Sequence, residues 1–189
     1  MIRLSITDTA LLSTAIDVLN REGIVVYPTD TLYGFGVDAT SGSAIARLNR
    51  LKNRSGPMSV IAPDLKTARN WTRCTDSEWE QIVQILGGAT TVIASGNPTI
   101  VHPNILGQNQ SLGIRMPDQP IILKLVEVFQ KPITSTSVNR SGSQPLNNPL
   151  DIVAEFENDI DLFIDAGILP PSSGSTIYFL TKDGLEQIR

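Results

Sequence analysis

The chain has 189 residues, 41% hydrophobic and 18% charged, with a formal net charge of −4. A chain this long hides roughly 70% of the surface it would expose when unfolded, and its composition is that of an ordinary globular protein and argues against disorder. Its net negative field repels a polyanion, so any nucleic-acid contact must come from a local cluster among its 15 Lys and Arg residues.

Cys74 is the only cysteine, which rules out an internal disulfide. No N-terminal segment reads as a signal or transit peptide, and no apolar run approaches the ~20 residues that cross a bilayer. The expectation is one domain over residues 1–189, cytoplasmic and without membrane contact.

Taken in chain order, Ser13–Arg21 reads as a helix with Ala15, Ile16 and Leu19 on one side, stopped at Gly23. Gly23–Tyr27 reads as a strand halted by Pro28. Ser43–Lys52 places Ile45, Leu48 and Leu51 near helical spacing, so the first half forms a strand, loop and helix unit. Met58–Ala62 reads as a strand, Asp64–Trp71 and Asp76–Leu86 as helices, and Thr90–Ala94 as a strand. Ser111–Arg115 and Ile133–Ser137 follow as strands and Pro120–Phe129 and Asp151–Glu157 as helices, with Thr176–Leu180 and Leu185–Ile188 as closing strands. Such interleaving predicts an α/β fold, a twisted mixed β-sheet covered by helices. Pro170–Ser175 reads as a loop.

Two triplets draw attention for their chemistry, Lys52-Asn53-Arg54 and Ser137-Val138-Asn139. A helix exit near Lys52 would let Lys52 and Arg54 face one ligand; the plainer reading is a pair of solvated cations complementing a helix dipole. Ser135, Ser137 and Asn139 alternate along a strand whose polar end should face a cleft, or else the turn residues only bond their own backbone. Thr29, Asp30, Thr31 and Tyr33 precede Gly34 and Gly36, where a substrate could approach the backbone closely. A tight strand-to-helix connection explains that segment equally well, since the third glycine and downstream acid of a dinucleotide fingerprint are missing. His102 has no triad or metal-site spacing around it. Cys74 reads as an ordinary thiol, Trp71 and Trp79 as core, and Arg115 as a carboxylate clamp or a surface ion pair.

In this order the segments resemble the YrdC-like family of threonylcarbamoyl-AMP synthases. The resemblance runs through Tyr27-Pro-Thr-Asp-Thr-Leu-Tyr-Gly-Phe-Gly-Val-Asp-Ala39, Lys52-x-Arg54, Ser111-Leu-Gly-Ile-Arg115-Met-Pro117, Ser135-Thr-Ser-Val-Asn-Arg-Ser-Gly142, Ser175-Thr176 and Ile188-Arg189. It implies condensation of L-threonine, bicarbonate and ATP into L-threonylcarbamoyl-adenylate with release of pyrophosphate, in service of tRNA A37 modification. Such chemistry needs no covalent nucleophile, because positioning and charge stabilisation supply most of the rate.

Carried over by motif, Lys52 and Arg54 would be the catalytic cations, and Ser111, Ser137, Asn139 and Arg189 would complete the ATP site. Thr31, Arg115 and Ser175 would hold threonine, Arg115 by a bidentate fork on its carboxylate. Mg2+ is implied with the triphosphate, without a dedicated protein cage. Implied partners are the proteins of the tRNA threonylcarbamoyl transfer step, with local contact to tRNA or RNA.

The sequence also departs from that pattern. Ser55-Gly56-Pro57-Met58 is shorter than usual after Lys-x-Arg and lacks a second Lys, Gly87-Gly88-Ala89 replaces Pro-Gly-Pro, and Val138 replaces Ala. The chain reads as the short form without a further C-terminal domain. The rival readings are a catalytically weak ATP-binding paralogue and an RNA-binding module of the same fold.

Overall fold

The computed structural model describes residues 1–189. In chain order the elements are β1 (Ile2–Ser5), α1 (Leu11–Asn20), β2 (Val25–Pro28), β3 (Tyr33–Gly36), α2 (Gly42–Lys52), β4 (Ser59–Ile61), α3 (Leu65–Asn70), α4 (Asp76–Val83) and β5 (Thr90–Ser95). They continue as β6 (Ser111–Arg115), α5 (Pro120–Phe129), β7 (Ile133–Ser137), α6 (Pro149–Phe156), β8 (Leu162–Asp165), β9 (Thr176–Thr181) and β10 (Gly184–Gln187). All ten strands join one mixed sheet ordered β1-β8-β2-β3-β7-β4-β6-β5-β9-β10. Pairing is parallel for β1/β8, β8/β2, β4/β6 and β5/β9 and antiparallel elsewhere. The expected α/β mixed sheet is therefore present.

Local chemistry sets the helix ends. Ser41 caps α2 by accepting from the Ala44 N–H at 3.2 Å, and Asn53 ends it in the left-handed conformation, φ 52°, which asparagine tolerates better than most residues. Thr75 and Glu78 cap α4 reciprocally, so the free N–H groups of its first turn find oxygen acceptors. No helix is long and apolar enough to cross a membrane.

Three strands, β1, β3 and β8, were not legible in the sequence, and β3 changes the topology near the N-terminus. Rather than a strand running through a loop into a helix, β2 and β3 form an antiparallel hairpin with Tyr27 opposite Gly34. Four residues, Thr29 to Leu32, make its turn. The Thr29 hydroxyl closes it, donating to the Leu32 carbonyl at 2.7 Å and accepting from the Thr31 and Leu32 N–H groups at 3.2 Å.

Gly34 and Gly36 are accounted for by the same hairpin. Alternation along β3 puts both glycines on one face and Phe35 on the other. A Cβ on Gly36 would stand 2.6 Å from Cε1 of Tyr27 and 2.7 Å from Cγ2 of Ile133, so the bare backbone leaves room for the Tyr27 ring. That ring is buried, and its hydroxyl donates to the Thr134 carbonyl at 2.8 Å. On the far face Phe35 packs edge-on against Phe156 of α6, ring centroids 5.2 Å apart.

Candidate active site

Strand register builds the site. Directly paired residues of adjacent strands point to the same face, and the pairs Gly34/Ser137, Ser135/Ser59 and Arg115/Thr91 all lie on one face, with Thr91 also paired to Ile177. Ser135 and Ser137, two apart on β7, share it. The result is a floor of small hydroxyl side chains crossed by Arg115. A cavity of about 250 Å³ opens on this floor.

Three guanidinium groups, Arg54, Arg115 and Arg189, reach the cavity, and none of its 19 lining residues is an acid. Eight of them, Thr29, Ser59, Thr91, Ser135, Thr136, Ser137, Ser173 and Ser175, are serines or threonines. On a chain of net charge −4 this is a local positive cleft suited to an anion with many acceptor oxygens.

Each cation is held differently. Arg54 donates from Nη2 to the Pro57 carbonyl at 2.8 Å and is only partly buried. Arg189 donates from Nε and Nη2 to the Ser175 carbonyl at 3.2 and 2.9 Å. The Ser175 hydroxyl lies 2.7 Å from that of Thr91, both buried, so β5 fixes the β9 entrance. Arg115 is 7% exposed and forms an ion pair through Nη2 with Asp30, while the same nitrogen donates to the Thr31 hydroxyl at 2.7 Å. Its Nε–H is buried with no partner, a state that costs about 1–3 kcal/mol unless something accepts it.

Lys52 departs from the sequence expectation. It does not share the cavity with Arg54; the residue is 2% exposed and its side chain turns inward to the exit of β7. Nζ donates to the Ser137 carbonyl, to the Asn139 carbonyl at 2.9 Å and to Asn139 Oδ1 at 2.9 Å, and lies 5.4 Å from the centre of the Phe35 ring. Burial, with the nearby Arg54 charge, pushes its pKa down to about 8. The reading of Lys52 as an exposed cation is corrected here: the last side chain of α2 turns to the exit of β7 and is held there.

Asn139 also faces inward. Its Oδ1 accepts from the Ser137 hydroxyl at 2.7 Å, and its Nδ2 donates to the Ser143 carbonyl at 2.7 Å. Thus Arg54, Ser137, Arg115, Ser175 and Arg189 come together in the cavity, while Lys52, Asn139 and Thr31 stand just behind its wall. Ser111 opens β6 opposite Ser95, outside the lining. Ser59 and Thr91 escaped the sequence reading because cross-strand partners need the register, while Thr29 and Ser135, which it set beside a pocket and a cleft without a role, do line the cavity.

Among the lesser candidates, His102 accepts from the Asn104 N–H through Nδ1 at 3.2 Å and caps a short turn. Cys74 is buried and its thiol is pushed up by that burial, which keeps it from nucleophilic use. Trp71 is core.

A mixed sheet presenting a hydroxyl-floored, arginine-ringed cleft defines a small α/β protein built to hold an anion. The family model described as telomere recombination, Sua5/YciO/YrdC, matches residues 17–189, and the chain belongs to that family. Threonylcarbamoyl-AMP synthases of Escherichia coli O1:K1 / APEC and Shigella boydii serotype 18 are 33% identical to it over 150 residues, covering 77% of this chain and 78% of theirs. The crystal structure of E. coli YciO matches with a TM-score of 0.88 at 26% identity, covering 100% of this chain and 92% of its own. P. abyssi Sua5 complexed with L-threonine has the same fold, with a TM-score of 0.88 at 24% identity over 100% of this chain, which spans 56% of that protein.

Proposed function

We infer that the chain is a threonylcarbamoyl-AMP synthase, joining L-threonine, bicarbonate and ATP into L-threonylcarbamoyl-adenylate with release of pyrophosphate. Family membership and the 33% identity to synthases of that name support the reading. The observation that carries it is the cleft itself, in which three arginines converge on a floor of hydroxyls with no Asp or Glu among the lining residues.

In this reading Arg54 and Arg189 meet the triphosphate and Ser137 bonds a polar group of the nucleotide, while Arg115 and Ser175 hold threonine. Lys52 and Asn139 serve the nucleotide site by holding the turn after β7. Ser111 keeps its assignment to the ATP site only if its edge of β6 meets the nucleotide.

The carbamate formed on threonine's amine attacks the α-phosphate, and the guanidinium groups offset charge that builds on phosphate oxygens. Mg2+ belongs to this reading as the companion of ATP: no three His, Cys, Asp or Glu side chains are grouped closely enough to cage it, so it would ride on the triphosphate. The adenylate is then passed, in the cytoplasm, to the proteins that modify tRNA A37, and direct tRNA contact falls to the exposed arginines near the cleft.

The test is pyrophosphate release by the purified protein with ATP and Mg2+, with threonine and bicarbonate each omitted in turn. Release that needs both supports the synthase. Release that needs neither, or none at all, overturns it.

A further inference from the structure

We propose that Asp30, acting with Thr31, is the positioning residue for Arg115, turning one side of its guanidinium toward the cleft to take the carboxylate of the amino-acid substrate. This rests on the synthase reading above and assigns Asp30 a part in threonine recognition.

The hydrogen bonds leave little freedom in how Arg115 is held. Both Nη2 hydrogens are spent, one on Asp30 Oδ1 and one on the Thr31 hydroxyl. The other oxygen of Asp30 accepts the Asp118 N–H at 3.2 Å, so the carboxylate is fixed to the chain that leaves β6 just after Arg115. Thr31 is equally committed. Its N–H donates to the Thr29 hydroxyl at 3.2 Å, and its own hydroxyl lies 3.1 Å from the same oxygen. The Thr29 hydroxyl is in turn held by the Leu32 carbonyl at 2.7 Å, so the hairpin turn fixes Thr31 beneath Arg115.

Three consequences follow for the ligand. Neither Asp30 nor Thr31 lines the cavity, whereas Arg115 does, so the two act on a substrate only through the guanidinium. Nη1 makes no hydrogen bond to the protein and is not sealed from solvent, which leaves it as the donor open to an incoming carboxylate, whereas Nε–H is buried without a partner. The symmetric fork expected of Arg115 is not free, because its Nη2 arm belongs to Asp30 and Thr31.

Asp30 also makes the buried cation tolerable before substrate arrives. A guanidinium 8% exposed at its side chain, facing an acid 15% exposed, would otherwise lie uncompensated. Without Asp30 the Arg115 side chain keeps only the Thr31 hydroxyl as an anchor, and binding a carboxylate would first require ordering it further.

Titration calorimetry of L-threonine and of ATP, beside steady-state pyrophosphate release, separates this role from general structural support. Asp30→Asn keeps an acceptor for Nη2 and loses its charge, and is expected to weaken threonine binding roughly tenfold while ATP affinity stays within about twofold. Asp30→Ala removes both and should weaken threonine further; Thr31→Val should show the same selectivity to a smaller degree. Circular dichroism reports folding, and should Asp30→Ala fail to fold, Asp30→Asn and Thr31→Val decide the matter. A folded Asp30→Asn protein that binds threonine as wild type does, or that loses threonine and ATP alike, overturns the proposal and leaves the synthase standing. A wild type that neither binds nor consumes threonine overturns the synthase reading, and this inference with it.

Discussion

The ammonium of Lys52 and the side-chain oxygen of Asn139 stand 2.9 Å apart, and this contact joins the two triplets that the sequence singled out. Together with the Ser137 and Asn139 carbonyls it uses all three ammonium protons. None is left for a phosphate. The joint is reciprocal, since the Ser141 N–H donates to the Lys52 carbonyl at 2.9 Å and Arg140 Nη1 donates to the Leu51 carbonyl at 2.8 Å. The end of α2, whose last carbonyls have no partner within the helix, and the turn after β7 thereby satisfy each other.

Lys52→Ala is accordingly expected to lower stability by about 1–3 kcal/mol, because it strips donors from buried oxygens, where an exposed lysine would change stability by no more than about 0.5 kcal/mol. Urea unfolding of wild type and variant measures the difference. Loss of pyrophosphate release should accompany it through misplacement of Ser137. Equal unfolding midpoints would return Lys52 to the cleft as a free cation.

The same residue predicts an opposed pair of pH effects. In the fold its pKa is about 8, against 10.5 for an ordinary lysine, with burial the main cause. Between those values the unfolded chain holds more protons than the folded one, so this group's contribution to folding stability rises with pH across the window. Activity should run the other way, falling as pH passes about 8 and the clamp loses a proton. The ratio of wild-type to Lys52→Met pyrophosphate release, followed from pH 7 to 9.5, isolates the effect from titration of threonine's own amine. A flat ratio would rule it out.

How far the sequence could be read depended on what each signal was about. Periodic helices and apolar strands came through nearly to the residue, as with Pro120–Phe129 and Ser111–Arg115, because each is set by its own side chains. β3 was missed because Tyr33-Gly-Phe-Gly36 has the glycine content of a loop; the reason for those glycines is the Tyr27 ring on the neighbouring strand. β8, the short apolar run Leu162–Asp165, has too few residues for periodicity to separate strand from helix. The site was legible as a set of residue types, but which of them face the ligand and which face one another was not. Lys52 and Thr31 look like ligand groups until their partners 85 and 84 residues away are seen.

Gly36→Ala tests the hairpin packing directly. The added methyl would meet Tyr27 and Ile133 at 2.6 and 2.7 Å, well inside van der Waals contact, and both side chains are buried. Overpacking of this kind costs about 1–3 kcal/mol, and a fall of several degrees in Tm by calorimetry is expected for a chain of this size. An unchanged Tm would mean that the ring is not held against β3.

Of the two cations that the resemblance made catalytic, Arg54 is the one that reaches the cavity. It lines the cavity, keeps one anchor on the Pro57 carbonyl and is exposed enough that Arg54→Ala should shift stability by no more than about 0.5 kcal/mol. If its guanidinium meets charge that grows as the α-phosphate is attacked, its loss should lower pyrophosphate release by roughly 10²-fold or more, the scale set by deleting one preorganised donor. Ser137→Ala should cost less, since a neutral hydrogen bond is weaker than a charged one. Arg54→Lys should recover only part of the rate, because an ammonium cannot reproduce the planar fork. Steady-state kinetics with ATP, threonine and bicarbonate each varied, on proteins shown to be folded by circular dichroism, gives the answer. An Arg54→Ala enzyme that turns over at the wild-type rate would show that the charge at the reacting phosphate is met from elsewhere in the cleft, with Arg189 the remaining cation on that side.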